Sequence, residues 1–156
     1  MSVLRFELTD EQATLNLGAS IARVLPALPE RFLIALNGDL GAGKTTLVRG
    51  VLRGLGYEGR VKSPTYPLLE TYKIPGFLLN HFDLYRLEST EALIEAGFEE
   101  NLSGSGVSFV EWPDRAGQYL TEIDWNIAIT DSVSGGRSIA IEAYSAQGEA
   151  CLSRLV

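Results

Sequence analysis

Gly38-Asp39-Leu40-Gly41-Ala42-Gly43-Lys44-Thr45-Thr46 decides how this chain is read. It satisfies G-x-x-x-x-G-K-[ST] at every required position. Glycine carries no Cβ, so the backbone can curl closely round a phosphate. Successive N–H groups then converge as an anion nest, backed by the positive end of the helix that follows. In that arrangement Lys44 reaches the β- and γ-phosphates, and Thr45 turns its hydroxyl to Mg²⁺. A chain of this length and average usage shows the pattern by chance about once in two hundred. The bland alternative is a glycine-rich strand–helix turn that binds nothing. Context argues against it. Arg31-Phe32-Leu33-Ile34-Ala35-Leu36 is an apolar run of strand length just before the loop, and Thr46-Leu47-Val48-Arg49-Gly50-Val51-Leu52 opens a helical pattern just after it.

The rest of the chain must supply the sheet, the metal-side acids and the base contacts. At 156 residues and 46% hydrophobic, it has the size of one domain with a sizeable core, and residues 1–156 are expected to form a single P-loop domain. No apolar run has the length of a membrane span. The first residues lack the pattern of a signal peptide, and a single cysteine, Cys151, excludes an internal disulfide. A cytoplasmic protein is the expectation, with Cys151 a small buried hydrophobe. The net charge of −7 argues against gripping a nucleic-acid backbone directly, but not against docking onto a protein that does.

Upstream, residues 3–8 alternate loosely and suit an edge strand. Thr9 and Gln12 have capping-box spacing before a helix whose apolar face carries Leu15, Leu17, Ile21, Val24 and Leu25. Pro26 and Pro29 close that helix. Residues 9–11 either cap it or also touch a base. Residues 31–37 read as a central strand buried on both faces. The helix after the phosphate loop is stopped near Gly54 and Gly56. Arg49 and Arg53 suit a solvated face; Arg60 and Lys62 extend the positive character either to solvent or to a partner.

Downstream, Val61-Lys62-Ser63-Pro64-Thr65-Tyr66 is a proline-fixed polar loop where P-loop switch proteins order a segment round the γ-phosphate. Thr65 either joins the metal shell or sits in an ordinary turn. Residues 67–74 and 77–83 read as a hairpin about Pro75-Gly76. The second strand ends in Asp83, placed as a Walker-B carboxylate, the alternative being a cap or surface acid. His81 shares a face with Asp83 and reads as a packing or hydrogen-bonding residue. A helix over residues 91–96 stops at Gly97, in a stretch rich in glutamate. Residues 107–110 form a short buried strand ending in Glu111, a second strand-terminal carboxylate, positioned to orient water or hold the Mg²⁺ shell. Trp112 either stacks near the base or braces the loop. Residues 124–130 and 137–144 form a hairpin, at whose start Arg137 either swings to a phosphate or decorates the turn. Gln147-Gly148 reads as a last turn.

Four pieces stand in order: residues 38–46, Ser63-Pro64-Thr65-Tyr66, His81-Phe82-Asp83-Leu84-Tyr85-Arg86-Leu87, and Val110-Glu111-Trp112-Pro113-Asp114. Together they resemble the bacterial TsaE (YjeE) family over nearly the whole chain. Pro67 after Tyr66 departs slightly from its pattern. The resemblance implies an α/β P-loop NTPase: a central mixed β-sheet flanked by helices in three layers. It implies ATP and Mg²⁺ as ligands. It also implies two partners, a threonylcarbamoyl transferase subunit (TsaD-type) and its inactive paralogue (TsaB-type). That assembly modifies the anticodon-adjacent adenosine of tRNA, which this chain meets only through the complex. Carried over by position, Gly38, Asp39, Leu40, Gly41, Ala42, Gly43, Lys44, Thr45 and Thr46 bind phosphate. Thr45, Asp83 and Glu111 serve the metal; Asp83, Glu111 and Thr65 serve hydrolysis; Trp112, Glu11 and Arg137 contact nucleotide. Two other readings compete. A small-molecule kinase would need an arginine-bearing lid, where this chain has acidic residues 88–100. A nucleotide sensor would not need Glu111. No arginine finger is evident, so hydrolysis by the chain alone is expected to be slow.

Overall fold

The structure is a computed structural model that describes residues 2–39, 41–64, 68–95, 97–120, 122–133 and 135–155. Its elements run β1 (Val3–Leu8), α1 (Glu11–Ala22), β2 (Arg31–Asn37), α2 (Lys44–Gly54), β3 (Leu69–Ile74), β4 (Phe77–Asp83), α3 (Thr90–Glu95), α4 (Phe98–Ser103), β5 (Gly106–Glu111), a 3₁₀ segment (Pro113–Tyr119), β6 (Trp125–Asp131), β7 (Arg137–Ala143) and α5 (Ala146–Ser153).

The seven strands form one sheet of order β1-β7-β6-β2-β5-β4-β3. β4, β5, β2 and β6 run parallel through its middle, while the outer pairings β3–β4, β6–β7 and β1–β7 are antiparallel. β2 is the fourth strand from either edge, and its five inner residues are buried. Both faces need cover, as for any strand in a parallel core. Phe32, Ile34 and Leu36 pack with Val107, Phe109, Ile127 and the apolar stripes of α1 and α2. The alternate residues Leu33, Phe82 and Val110 pack with Leu93, Phe98, Leu102 and Ala116 from α3, α4 and the 3₁₀ segment. The result is the three-layered α/β arrangement of a P-loop NTPase, with a mixed sheet between helices.

α1 and α2 cross closely because glycines meet in the seam. A Cβ added to Gly18 would lie 2.7 Å from the Leu47 carbonyl oxygen and the Val51 nitrogen. One added to Gly50 would lie 2.6 Å from the Leu15 carbonyl oxygen. This seam fixes the β1–α1 loop against the start of α2, and so fixes one wall of the site.

At the other end of the parallel strands, Asp124 joins three elements. Its Oδ2 accepts from the Leu33 N–H at 2.8 Å, and its Oδ1 accepts from the Ser145 hydroxyl at 2.6 Å. Ser145 also caps α5 by accepting from the Gly148 N–H.

Three local expectations change. The cap of α1 is Asp10, whose Oδ1 accepts from the Ala13 N–H at 2.8 Å, so the Thr9–Gln12 capping box does not set that end. α4 follows Gly97 directly, so the helix expected to stop there is succeeded at once by another. Gly148 lies inside α5 instead of in a turn: a Cβ there would sit 2.3 Å from the Asp124 carbonyl oxygen, so glycine is needed for close approach.

Candidate functional site

The loop between β2 and α2 opens at the carboxyl ends of the parallel strands. Gly41 (φ 80°) and Gly43 (φ 102°) adopt the left-handed backbone that glycine allows, and a Cβ on either would meet nothing within 4 Å. Gly43 is the cap of α2 and offers no side chain to the first-turn N–H groups, which leaves them to an anion.

Lys44 opens α2 yet is only 5% exposed. Its ammonium donates to the Gly38 carbonyl at 2.6 Å and lies 3.5 Å from Glu111 Oε1. The Trp112 ring covers it, with the nitrogen 4.5 Å from the ring centroid. Trp112 adopts φ 58°, a strained choice for a bulky residue, and leans on Tyr85 with centroids 4.9 Å apart.

Parallel pairing of β4 with β5 sets Asp83 level with Glu111, one strand-end carboxylate beside another. Glu111 is buried, and its Oε2 bonds His81 Nε2. Asp83 Oδ1 accepts from the Tyr85 N–H at 3.0 Å. Burial pushes the Asp83 carboxyl above the usual carboxylate range; the Tyr85 N–H works against that shift, and the neighbouring Glu111 adds to it. Asp83, Glu111, Lys44, Thr45 and Ser63 line one pocket of about 280 Å³. In it the Thr45 and Ser63 hydroxyls bond at 2.6 Å.

A second pocket of about 280 Å³ lies across the loop, lined by Thr9, Asp10, Glu11, Thr14, Gly41, Ala42, Gly43, Thr46 and Arg137 among others. Arg137 spans its edge. The guanidinium donates to the Ala42 carbonyl at 2.9 Å and the Gly41 carbonyl at 3.1 Å, and pairs with Asp131 at 2.9 Å. It therefore holds the loop by its carbonyls from the edge of this pocket.

The structure thus gathers Gly38, Gly41, Gly43, Lys44, Thr45, Asp83, Glu111 and Trp112 on one side, with Glu11, Ala42 and Arg137 at the adjoining pocket and Thr46 lining both. Asp39 lies in a further pocket behind the loop with Asn37, Thr130 and Asp131. Leu40 and Thr65 lie outside the described residues. His81 and Ser63 join the site without having been singled out for it. For His81 the usable signal was the two-residue alternation that puts it on the face of Asp83.

The family model described as threonylcarbamoyl adenosine biosynthesis protein TsaE matches residues 8–139. The chain belongs to the TsaE family. A TsaE relative from Haemophilus influenzae, named tRNA threonylcarbamoyladenosine biosynthesis protein TsaE, is 39% identical over 98% of both chains. One of the same name from Treponema pallidum is 35% identical over 83% of this chain and 93% of its own. The crystal structure of Bacillus subtilis YdiB superposes with a TM-score of 0.83 at 26% identity, covering 99% of this chain and 94% of that one. This TsaE chain therefore shares its overall fold with a solved neighbour along nearly its whole length.

A phosphate tail and Mg²⁺ fit this TsaE site on its own chemistry. The cradle is open where a Cβ would stand, and the Trp112 indole N–H is buried with no partner among the described residues. The donors at the metal side are hydroxyl and carboxylate oxygens, which suit a hard cation. Among the described residues no group of three or more His, Cys, Asp or Glu gathers to hold a metal alone.

Proposed function

We propose that this TsaE-family chain binds and hydrolyses ATP with Mg²⁺ as the ATPase subunit of tRNA threonylcarbamoyladenosine synthesis. One observation carries the reading: a phosphate-binding loop, Lys44, Thr45 and two strand-end carboxylates converge on one pocket. Residues 1–156 act as one ATPase domain in the cytoplasm; among the described residues no helix is long and apolar enough to cross a membrane. The names of the relatives supply the pathway. The partners are a TsaD-type transferase subunit and its TsaB-type paralogue, and tRNA is met through them.

Each residue has a role. The amides of residues 38–46 and the Lys44 ammonium bind the β- and γ-phosphates. Thr45, Asp83 and Glu111 would hold the metal side of the site through hydroxyl and carboxylate oxygens. Bound Mg²⁺ would neutralise charge on the phosphate oxygens. Glu111 orients the attacking water, and Thr65 closes over the γ-phosphate from the switch-like loop. Glu11 and Thr46 line the adenosine side, where Arg137 holds the loop by its carbonyls. Trp112 covers Lys44, lowering water access to it.

The test is calorimetric titration with ADP and ATP in Mg²⁺, followed by phosphate release with and without the two partners and a screen for phosphorylated small molecules. Saturable binding with slow hydrolysis that partners accelerate supports the reading. A phosphorylated acceptor without free phosphate would make the chain a kinase; binding without turnover would make it a sensor.

A further inference from the structure

His81 has no exposed surface, and it sits on β4 two residues before Asp83 on the face beneath α2. Its level neighbour on β5 is Phe109. Glu111 lies two residues further along β5, so the ring reaches diagonally to that carboxylate. Nε2 meets Glu111 Oε2, while Nδ1 has no partner among the described residues. A histidine tying elements together would use both nitrogens; this one spends its single polar contact on Glu111.

The two oxygens of Glu111 therefore have different partners. Oε1 faces Lys44, a flexible cation that the proposed function assigns to the phosphates. Oε2 faces a ring fixed by burial. A glutamate has three side-chain torsions, and a group that orients water must be held within about 0.5 Å of its working position. The Oε2 contact restrains the carboxylate and leaves Oε1 turned to Lys44, on a side chain that lines the pocket with Thr45 and Asp83.

We propose that His81 is a positioning residue for hydrolysis, holding Oε2 of Glu111 so that Oε1 stays aimed at the attacking water. This rests on the reading of Glu111 as the water-orienting carboxylate. Two amide substitutions test it. His81→Gln can place an N–H where Nε2 stands; His81→Asn can place one only near Nδ1. Single-turnover hydrolysis of ATP with protein in excess and Mg²⁺ gives the rate, and calorimetry with ADP gives affinity. His81→Asn is expected to slow hydrolysis about 10- to 100-fold, the range for residues that orient a functional ligand, with ADP affinity within about threefold. His81→Gln should recover most of that loss. In a Glu111→Gln background, His81→Asn should change the residual rate less than about twofold, because the two residues act as one unit. Equal losses in His81→Asn and His81→Gln would show a structural role and overturn the inference. So would an undiminished His81→Asn rate beside a disabled Glu111→Gln, or a further loss of full size in the double variant. A normal rate in Glu111→Gln would instead remove the reading of Glu111 itself, and a His81→Asn loss beside it would overturn the positioning role.

Discussion

Gly18→Ala sets two effects of opposite sign against each other at the seam that builds one wall of the site. Replacing a mid-helix glycine by alanine favours the helix by about 1 kcal/mol. Here the new methyl would sit 2.7 Å from the Leu47 carbonyl oxygen and the Val51 nitrogen and 2.8 Å from the Gly50 carbonyl carbon. Ordinary contact begins near 3.4 Å, and all three atoms are backbone of α2, which cannot rotate aside. The helices must part along a seam packed by Leu17, Ile21, Leu47 and Val51, all of them buried. Overpacking of this kind costs about 1–3 kcal/mol, and its upper range applies where nothing yields. The clash therefore outweighs the propensity gain, leaving a net loss of about 1–2 kcal/mol. Urea unfolding followed by tryptophan fluorescence should show the midpoint falling by about 0.5–1 M at an unchanged slope. The same parting moves Thr9, Asp10, Glu11 and Thr14 away from Gly41–Gly43, so ADP should weaken more than pyrophosphate. A variant as stable as the parent, or more so, would show that the seam has slack and refute the reasoning.

Other consequences follow from the same geometry. Glu111→Ala should keep ADP affinity within a few-fold while suppressing single-turnover hydrolysis about 100-fold or more, as for loss of a group acting mainly in the transition state. Asp124→Ala strands the Leu33 N–H and the Ser145 hydroxyl at the far end of the sheet. It should lower stability by about 2–4 kcal/mol in urea without altering nucleotide affinity. Burial pushes the Cys151 thiol up, so the folded chain keeps its proton above the ordinary thiol range near about 8.5. Its contribution to stability is whole below that range and is lost as pH rises through the shifted value, so the parent should lose more stability at alkaline pH than Cys151→Ala does. The native thiol should also stay inert to aromatic disulfide reagents at pH about 8 and react only on unfolding.

The sequence made the phosphate loop legible because glycines, Lys44 and flanking periodicity all point the same way. Asp83 and Glu111 were legible as strand-end acids, since alternation and burial located the strand ends before them. What escaped was set by tertiary approach. Gly148 looks like a turn residue but exists because the Asp124 carbonyl comes close to it. α4 and the 3₁₀ segment are too short to show a helical period, and they owe their shape to Phe98, Leu102 and Ala116 packing against the sheet. Arg137 looked able to meet a phosphate; only the fold shows it bonded to the loop's own carbonyls. His81 and Glu111 lie thirty residues apart, and their contact exists only once β4 pairs with β5.

Titrating the chain with ADP in Mg²⁺ beside its Lys44→Ala variant tests the central claim most directly. The account predicts one saturable site per chain, with affinity reduced about tenfold or more in the variant, about 1.4 kcal/mol at least. No heat at millimolar nucleotide from folded protein, or equal affinity in both chains, would contradict it.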